Sequence, residues 1–140
     1  MIRAGLLPFY VDEDDTIHIL LMRPSDPRYG GTEWQIAKGI AETDDIEAEG
    51  IREGVEELGI TQQDMMGETF YAASSLKKFR DGSRHSLFVY TVRTKAKSVS
   101  GHYHYETGDT IWLPEYEIHK VRDWQQPLVE IALRRIRARI

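Results

Sequence analysis

Residues 39–60 read Gly39-Ile40-Ala41-Glu42-Thr43-Asp44-Asp45-Ile46-Glu47-Ala48-Glu49-Gly50-Ile51-Arg52-Glu53-Gly54-Val55-Glu56-Glu57-Leu58-Gly59-Ile60, and this stretch decides the fold. Thr43 and Asp44 are good helix N-caps and Gly59 stands where helices end in a left-handed residue, so a helix is predicted over about Asp45 to Leu58. At about 3.6 residues per turn, Glu49, Arg52, Glu53, Glu56 and Glu57 share an arc of roughly 140°, with Ala48, Ile51, Val55 and Leu58 opposite. One face is therefore expected to pack and the other to present carboxylates. Gly50 and Gly54 each cost about 1 kcal/mol relative to alanine inside a helix, so this helix must draw its stability from packing, and either glycine can admit a close backbone approach.

Glu53, Glu56 and Glu57 are spaced to meet on one surface, which is repulsive without a cation, and Arg52 alone cannot balance three carboxylates. Magnesium prefers such oxygens and fills its remaining positions with water and substrate phosphate. A solvated acidic face would have the same composition, so the flanking sequence has to decide.

Upstream, Ala4 to Val11 and Ile17 to Met22 read as a hairpin turned by Asp12-Glu13-Asp14-Asp15, Pro24 to Thr32 as a loop, and Trp34-Gln35-Ile36 as a brief strand-like approach to Lys38-Gly39. Downstream, Glu68 to Ser75 and His85 to Arg93 read as antiparallel strands around the Asp81-Gly82 turn. Lys95 to Gly108 reads as a loop, and Thr110 to Leu113 as a strand stopped by Pro114. Leu128, Ile131, Ala132, Ile136 and Ile140 mark one face of a final helix that starts near Pro127. This order predicts an α/β fold, an α/β/α sandwich with a mixed sheet, as a single domain over residues 1–140.

The string Arg52-Glu53-Gly54-Val55-Glu56-Glu57-Leu58-Gly59-Ile60, preceded by Lys38-Gly39, resembles the signature of the Nudix hydrolase family, whose loop-helix-loop binds catalytic metal. The resemblance implies Glu53, Glu56 and Glu57, together with Gly39, at the metal, which is Mg2+ or Mn2+ as a substitute. It implies Arg52 as the residue that orients the carboxylates, and Gly39 and Gly59 as turn glycines. Two departures stand out: the loop from Ile40 to Asp45 is one residue shorter, leaving the midway acid at either Asp44 or Asp45, and Gly54 replaces an aliphatic residue. Arg3-Ala4-Gly5-Leu6-Leu7 and Glu106, six residues before Trp112, look similar to the branch of dinucleoside polyphosphate hydrolases. RNA 5′-pyrophosphohydrolases share the same chemistry, so an RNA 5′ end is a second candidate partner, and a nucleotide-sensing Nudix module without activity is a third reading. Glu56, Glu57 and Glu106 are the general-base candidates.

Lys38, Lys77, Lys78, Arg80 and Arg84 are candidates for phosphate, and Tyr71, Tyr103 and Tyr105 for stacking on a base. His102 and His104 lack the further ligands a structural zinc needs. The net charge of −5 argues against a duplex DNA partner, the lack of cysteine points to an intracellular, cytoplasmic protein, and no stretch reads as an export signal or a membrane helix. Either a monomer or a homodimer is compatible with these features.

Overall fold

A computed structural model of the chain, which describes residues 1–29 and 31–140, has strand β1 (Ile2–Val11) at its centre. Residues Ala4 to Tyr10 are buried throughout, as expected for a strand covered on both sides. Along one edge β1 runs parallel to β5 (Arg84–Arg93) from Ile2 to Phe9. Along the other it is shared: its first half pairs antiparallel with β3 (Ala37–Ile40), Gly5 facing Lys38, and its second half with β2 (Ile17–Pro24), Phe9 facing Ile19. Strands β4 (Phe70–Lys78) and β6 (Thr107–Pro114) complete a mixed sheet of order β4-β5-β1-β2-β6.

The alternation along β2 sorts the core. Ile17, Ile19 and Leu21 join Leu7, Phe9 and Val89 beneath helix α2 (Gln126–Arg139), whereas Leu20 and Met22 pack with Leu58 and Ile60 at the end of helix α1 (Ile46–Leu58). The result is the expected α/β/α sandwich. Most predicted elements stand close to their predicted places, with three shifts. Trp34 and Gln35 make only isolated bridges, to Val121 and Met22, and the strand beside β1 starts at Ala37. Strand β6 begins at Thr107, inside the stretch that reads as loop. Val129 replaces Ile140 on the buried face of α2. The segment after β2 holds a 3-10 turn at Pro27–Tyr29, while Gly30 of the predicted loop lies outside the described residues.

Around Asp12-Glu13-Asp14-Asp15 the hairpin turn is tied by the Asp12 carboxylate, which accepts from Asp14 N at 2.8 Å and Thr16 N at 3.0 Å. Helix α1 is capped by Asp45, whose side chain accepts from Ala48 N at 3.1 Å, rather than by Thr43 or Asp44. It ends as predicted at Gly59, with φ of 77°.

The orientation of α1 departs from the amphipathic reading. Its buried residues are Glu49, Gly50, Glu53, Gly54 and Leu58, while Val55 is 42 % exposed and Ala48 is also exposed. Area alone would bury Val55; approach distance wins instead. A methyl group on Gly50 would stand 2.8 Å from the Gly5 carbonyl oxygen, and one on Gly54 would overlap the Leu6 side chain, so the helix lies against β1 through its two glycines. Gly50→Ala would therefore lower the melting stability by about 1–2 kcal/mol, the overpacking cost exceeding the gain in helix propensity. Thermal or denaturant melting decides it: a more stable variant would mean that the helix can shift off the strand freely.

Candidate active site

Docking through glycines turns the neighbouring carboxylates inward. Glu49 is 5 % exposed and accepts from Glu42 N at 2.6 Å, Thr43 N at 2.7 Å and Arg52 Nε at 2.8 Å, which fixes the short loop before the helix and, through Arg52, keeps the carboxyl below its ordinary range. Arg52 also reaches Glu53 at 3.1 Å and Glu56 at 3.2 Å, so one guanidinium gathers three carboxylates. Glu53 lies against the backbone of Gly39, where any side chain would collide with its carboxylate. Glu57 is half-buried and accepts from Lys38 N at 2.9 Å. Burial is the main force raising both groups: it pushes Glu53 above its ordinary value and Glu57 up to about 7.

Glu106 arrives from the loop that reads as structureless. That loop is docked on the C-terminal carbonyls of α1, groups that a helix leaves without internal partners. Gly101 N donates to Gly59 O at 2.9 Å, His104 N to Glu56 O at 2.7 Å and Thr107 Oγ1 to Glu57 O at 2.9 Å. Its start is pinned by Asp64, fully buried, whose carboxylate accepts from Ser98 Oγ at 2.6 Å, Thr61 N at 2.8 Å and Ser100 N at 3.0 Å. Glu106 is thereby held in the same cleft as Glu53, Glu56 and Glu57, and its charge adds to the rise at Glu57.

The cleft encloses about 1190 Å³, ample for a ligand of nucleotide size or larger. Lys38, Gly39 and Lys77 line it, as does Tyr105, 79 % exposed. Lys38 is half-buried beside Gln35, to which Nζ donates at 2.8 Å, and desolvation lowers its pKa to about 8. Tyr71, Lys78 and Arg84 do not line the cleft. Tyr71 is committed elsewhere: its hydroxyl donates to Ser74 Oγ at 2.7 Å and its ring carries the Arg135 guanidinium at 4.8 Å. Lys78 and Arg84 face each other at the hairpin end of β4 and β5. Residues that sequence reasoning did not place here are Arg3, Arg28, Phe79, Arg122 and Trp124. Only their pairing and packing bring them in; no local pattern marks them.

The oxygen donors of Glu53, Glu56, Glu57 and Glu106 suit a hard divalent cation, and the glycine at position 39 leaves room for the Glu53 carboxylate beside the backbone. The set fits in chemistry. Among the described residues no group of three or more histidines or carboxylates forms a ready-made metal cage. The geometry explains it: Glu53 and Glu56 are drawn to Arg52 and Glu57 to the Lys38 amide, the partners available to mutually repelling carboxylates.

No protein-family model and no curated protein sequence matches the chain. Solved structures do. An Ap4A hydrolase from C. elegans, in a binary complex, matches with a TM-score of 0.75 at 18% identity over 98% of each chain. The Nudix domain of NrtR from Shewanella oneidensis, in complex with ADP ribose, matches with a TM-score of 0.74 at 14% identity over 97% of this chain and 88% of that one. A MutT protein from Methanosarcina mazei Go1 matches with a TM-score of 0.71 at 21% identity over 96% and 94%. The α/β/α sandwich is thus the fold of Nudix proteins.

Proposed function

We propose that this chain is a metal-dependent hydrolase of phosphoanhydride bonds in nucleotide-like substrates, with dinucleoside polyphosphates the first compounds to try. The observation that carries this reading is the convergence of Glu53, Glu56 and Glu57 from α1 with Glu106 from a separate loop in one large cleft that also holds cations. A purely structural acidic helix gives no reason for a fourth carboxylate to be brought in by a docked loop, and a nucleotide-sensing module does not need the set. The intact string from Arg52 to Ile60 agrees with it.

In this reading Glu53, Glu56 and Glu57, with the Gly39 backbone, hold Mg2+, or Mn2+ in its place. Such an ion offsets phosphate charge and makes a bound water a better nucleophile at neutral pH. Arg52 orients Glu53 and Glu56, and Glu49 orients Arg52 in turn. In this reading Glu56, Glu57 and Glu106 are the candidates to take a proton from an attacking water, Glu57 being the most buried of the three. Lys38 and Lys77 draw the phosphate chain toward the carboxylates.

Incubation of the purified chain with magnesium and a panel of dinucleoside polyphosphates, nucleoside triphosphates, sugar nucleotides and 5′-triphosphorylated RNA tests this directly. Hydrolysis at an anhydride bond, abolished by chelator, is the expected outcome. No release of nucleotide product from any member of the panel would overturn it, and preferential release from the RNA would move the substrate to RNA 5′ ends.

A further inference from the structure

We infer that the part of the sheet left bare beside α1, on β4 and β5, is a self-association surface, on which a second copy of this chain docks face to face about a two-fold axis. The residues that carry it do not line the cleft, so it stands apart from the hydrolase reading. The register of β4 on β5 sorts the side chains here. Leu87 and Val89 lie in the core beneath α2, so Ser86 and Phe88 point the other way, as do their partners Leu76 and Ser74. In β1, Ile2 stands opposite Ser86 on that same face. Helix α1 covers the face as far as Tyr90, whose ring is 3.5 Å from where a Gly50 side chain would begin. Toward the hairpin end the face is open: Leu76 is 61 % exposed and Ile2 47 %, with Phe88 half-buried beside them.

Charge identifies the occupant. Lys78 and Arg84, partners across the two strands, are exposed at the hairpin end of the patch. Asp45 and Glu47 are exposed at its other end, beside Tyr90, whose hydroxyl pKa is raised first by burial and then by these two charges. None of the four forms an ion pair among the described residues. The ends lie about 20 Å apart, the length of β5 from Arg84 to Tyr90. A wholly acidic partner, or an anionic lipid surface, would be repelled by Asp45 and Glu47. A second copy given a half-turn about an axis between Leu76 and Phe88 lays its acidic end over Lys78 and Arg84 and its basic end over Asp45 and Glu47, matching both at once.

Strand addition along the free edge of β4 is the other way for two copies to meet there, and that edge is blunted against it. The strand is bulged between Tyr71 and Ala73, and the guanidinium groups of Arg139 and Arg135 lie on the rings of Phe70 and Tyr71, 4.1 and 4.8 Å from their centroids. The face remains. Its apolar part is small, so the dimer is a weak one, with a dissociation constant in the micromolar range.

Sedimentation velocity of the full chain from about 5 to about 500 µM is the test. The expected result is a concentration-dependent equilibrium of monomer and dimer that weakens as salt rises from about 0.05 to about 0.5 M. Leu76→Glu should weaken it at least about 10-fold at an unchanged melting temperature, because the side chain it replaces is exposed in the monomer. Lys78→Glu and Glu47→Lys should each weaken it about 10-fold by setting like charges against each other across the axis. Mixed together, with one of them fluorescently labelled, these two variants should pair with each other, since each supplies the charge that the other now faces; a variant that had merely lost its fold could not. A chain that stays monomeric throughout, a dimer that survives Leu76→Glu, or a mixture no more associated than its two components overturns the proposal.

Discussion

Glu57→Gln is expected to lower magnesium-dependent turnover by about 100- to 10,000-fold while leaving the fold intact and, in the metal-free protein above neutral pH, more stable than wild type. The substitution keeps volume, and the glutamine Oε1 can still accept from Lys38 N, the bond that Glu57 makes at 2.9 Å. What it removes is charge. Burial pushes the Glu57 carboxyl from an ordinary value of 4.5 up to about 7, so the folded state holds the proton more tightly than the unfolded chain does. Its contribution to stability is therefore fully present below pH 4.5 and is lost as pH rises through about 7. A neutral side chain abolishes that loss, which is on the order of 1–3 kcal/mol. Melting in chelator at pH 5 and pH 8 should show a drop in the wild type that is smaller in the variant. Undiminished turnover would take Glu57 out of the chemistry, and an unchanged drop would mean that its buried charge is solvated after all.

Glu106→Gln is the complementary experiment, because Glu106 is exposed and belongs to no regular element, so its replacement should cost little stability. Its backbone, not its side chain, holds it in place: the Glu106 carbonyl accepts from Ser25 N at 2.8 Å and the loop hangs on the end of α1. If the carboxylate takes the water's proton, turnover falls about 100- to 10,000-fold with a much smaller change in apparent substrate binding. Turnover near the wild-type rate across neutral pH would return the base role to Glu56 or Glu57.

The strands, the two helices and the acidic string were legible because each is a local pattern: alternation, spacing by three and four, caps and turn glycines. The facing of α1 was not. A hydrophobicity count assigns Val55 inward; Gly50 and Gly54 signal that something can approach the helix closely, but which element does so, and that it outweighs Val55, is visible only when β1 is laid beside them. The misplaced Tyr71 has the same origin, since residue type cannot reveal that its face is already taken by Arg135. Arg3 is far in sequence from Arg122 and Trp124, and the three line one cleft only in the folded chain, so no spacing rule gathers them.

The docked loop from Ser98 to Thr107 has one more consequence. Anchored at Asp64 and along the end of α1, it has no slack with which to swing over a ligand, so it is a doorpost rather than a lid. Ser25 belongs to that doorpost too, its N donating to the Glu106 carbonyl at 2.8 Å at the edge of the cleft. A ligand would enter and leave past an acidic jamb that carries Glu106.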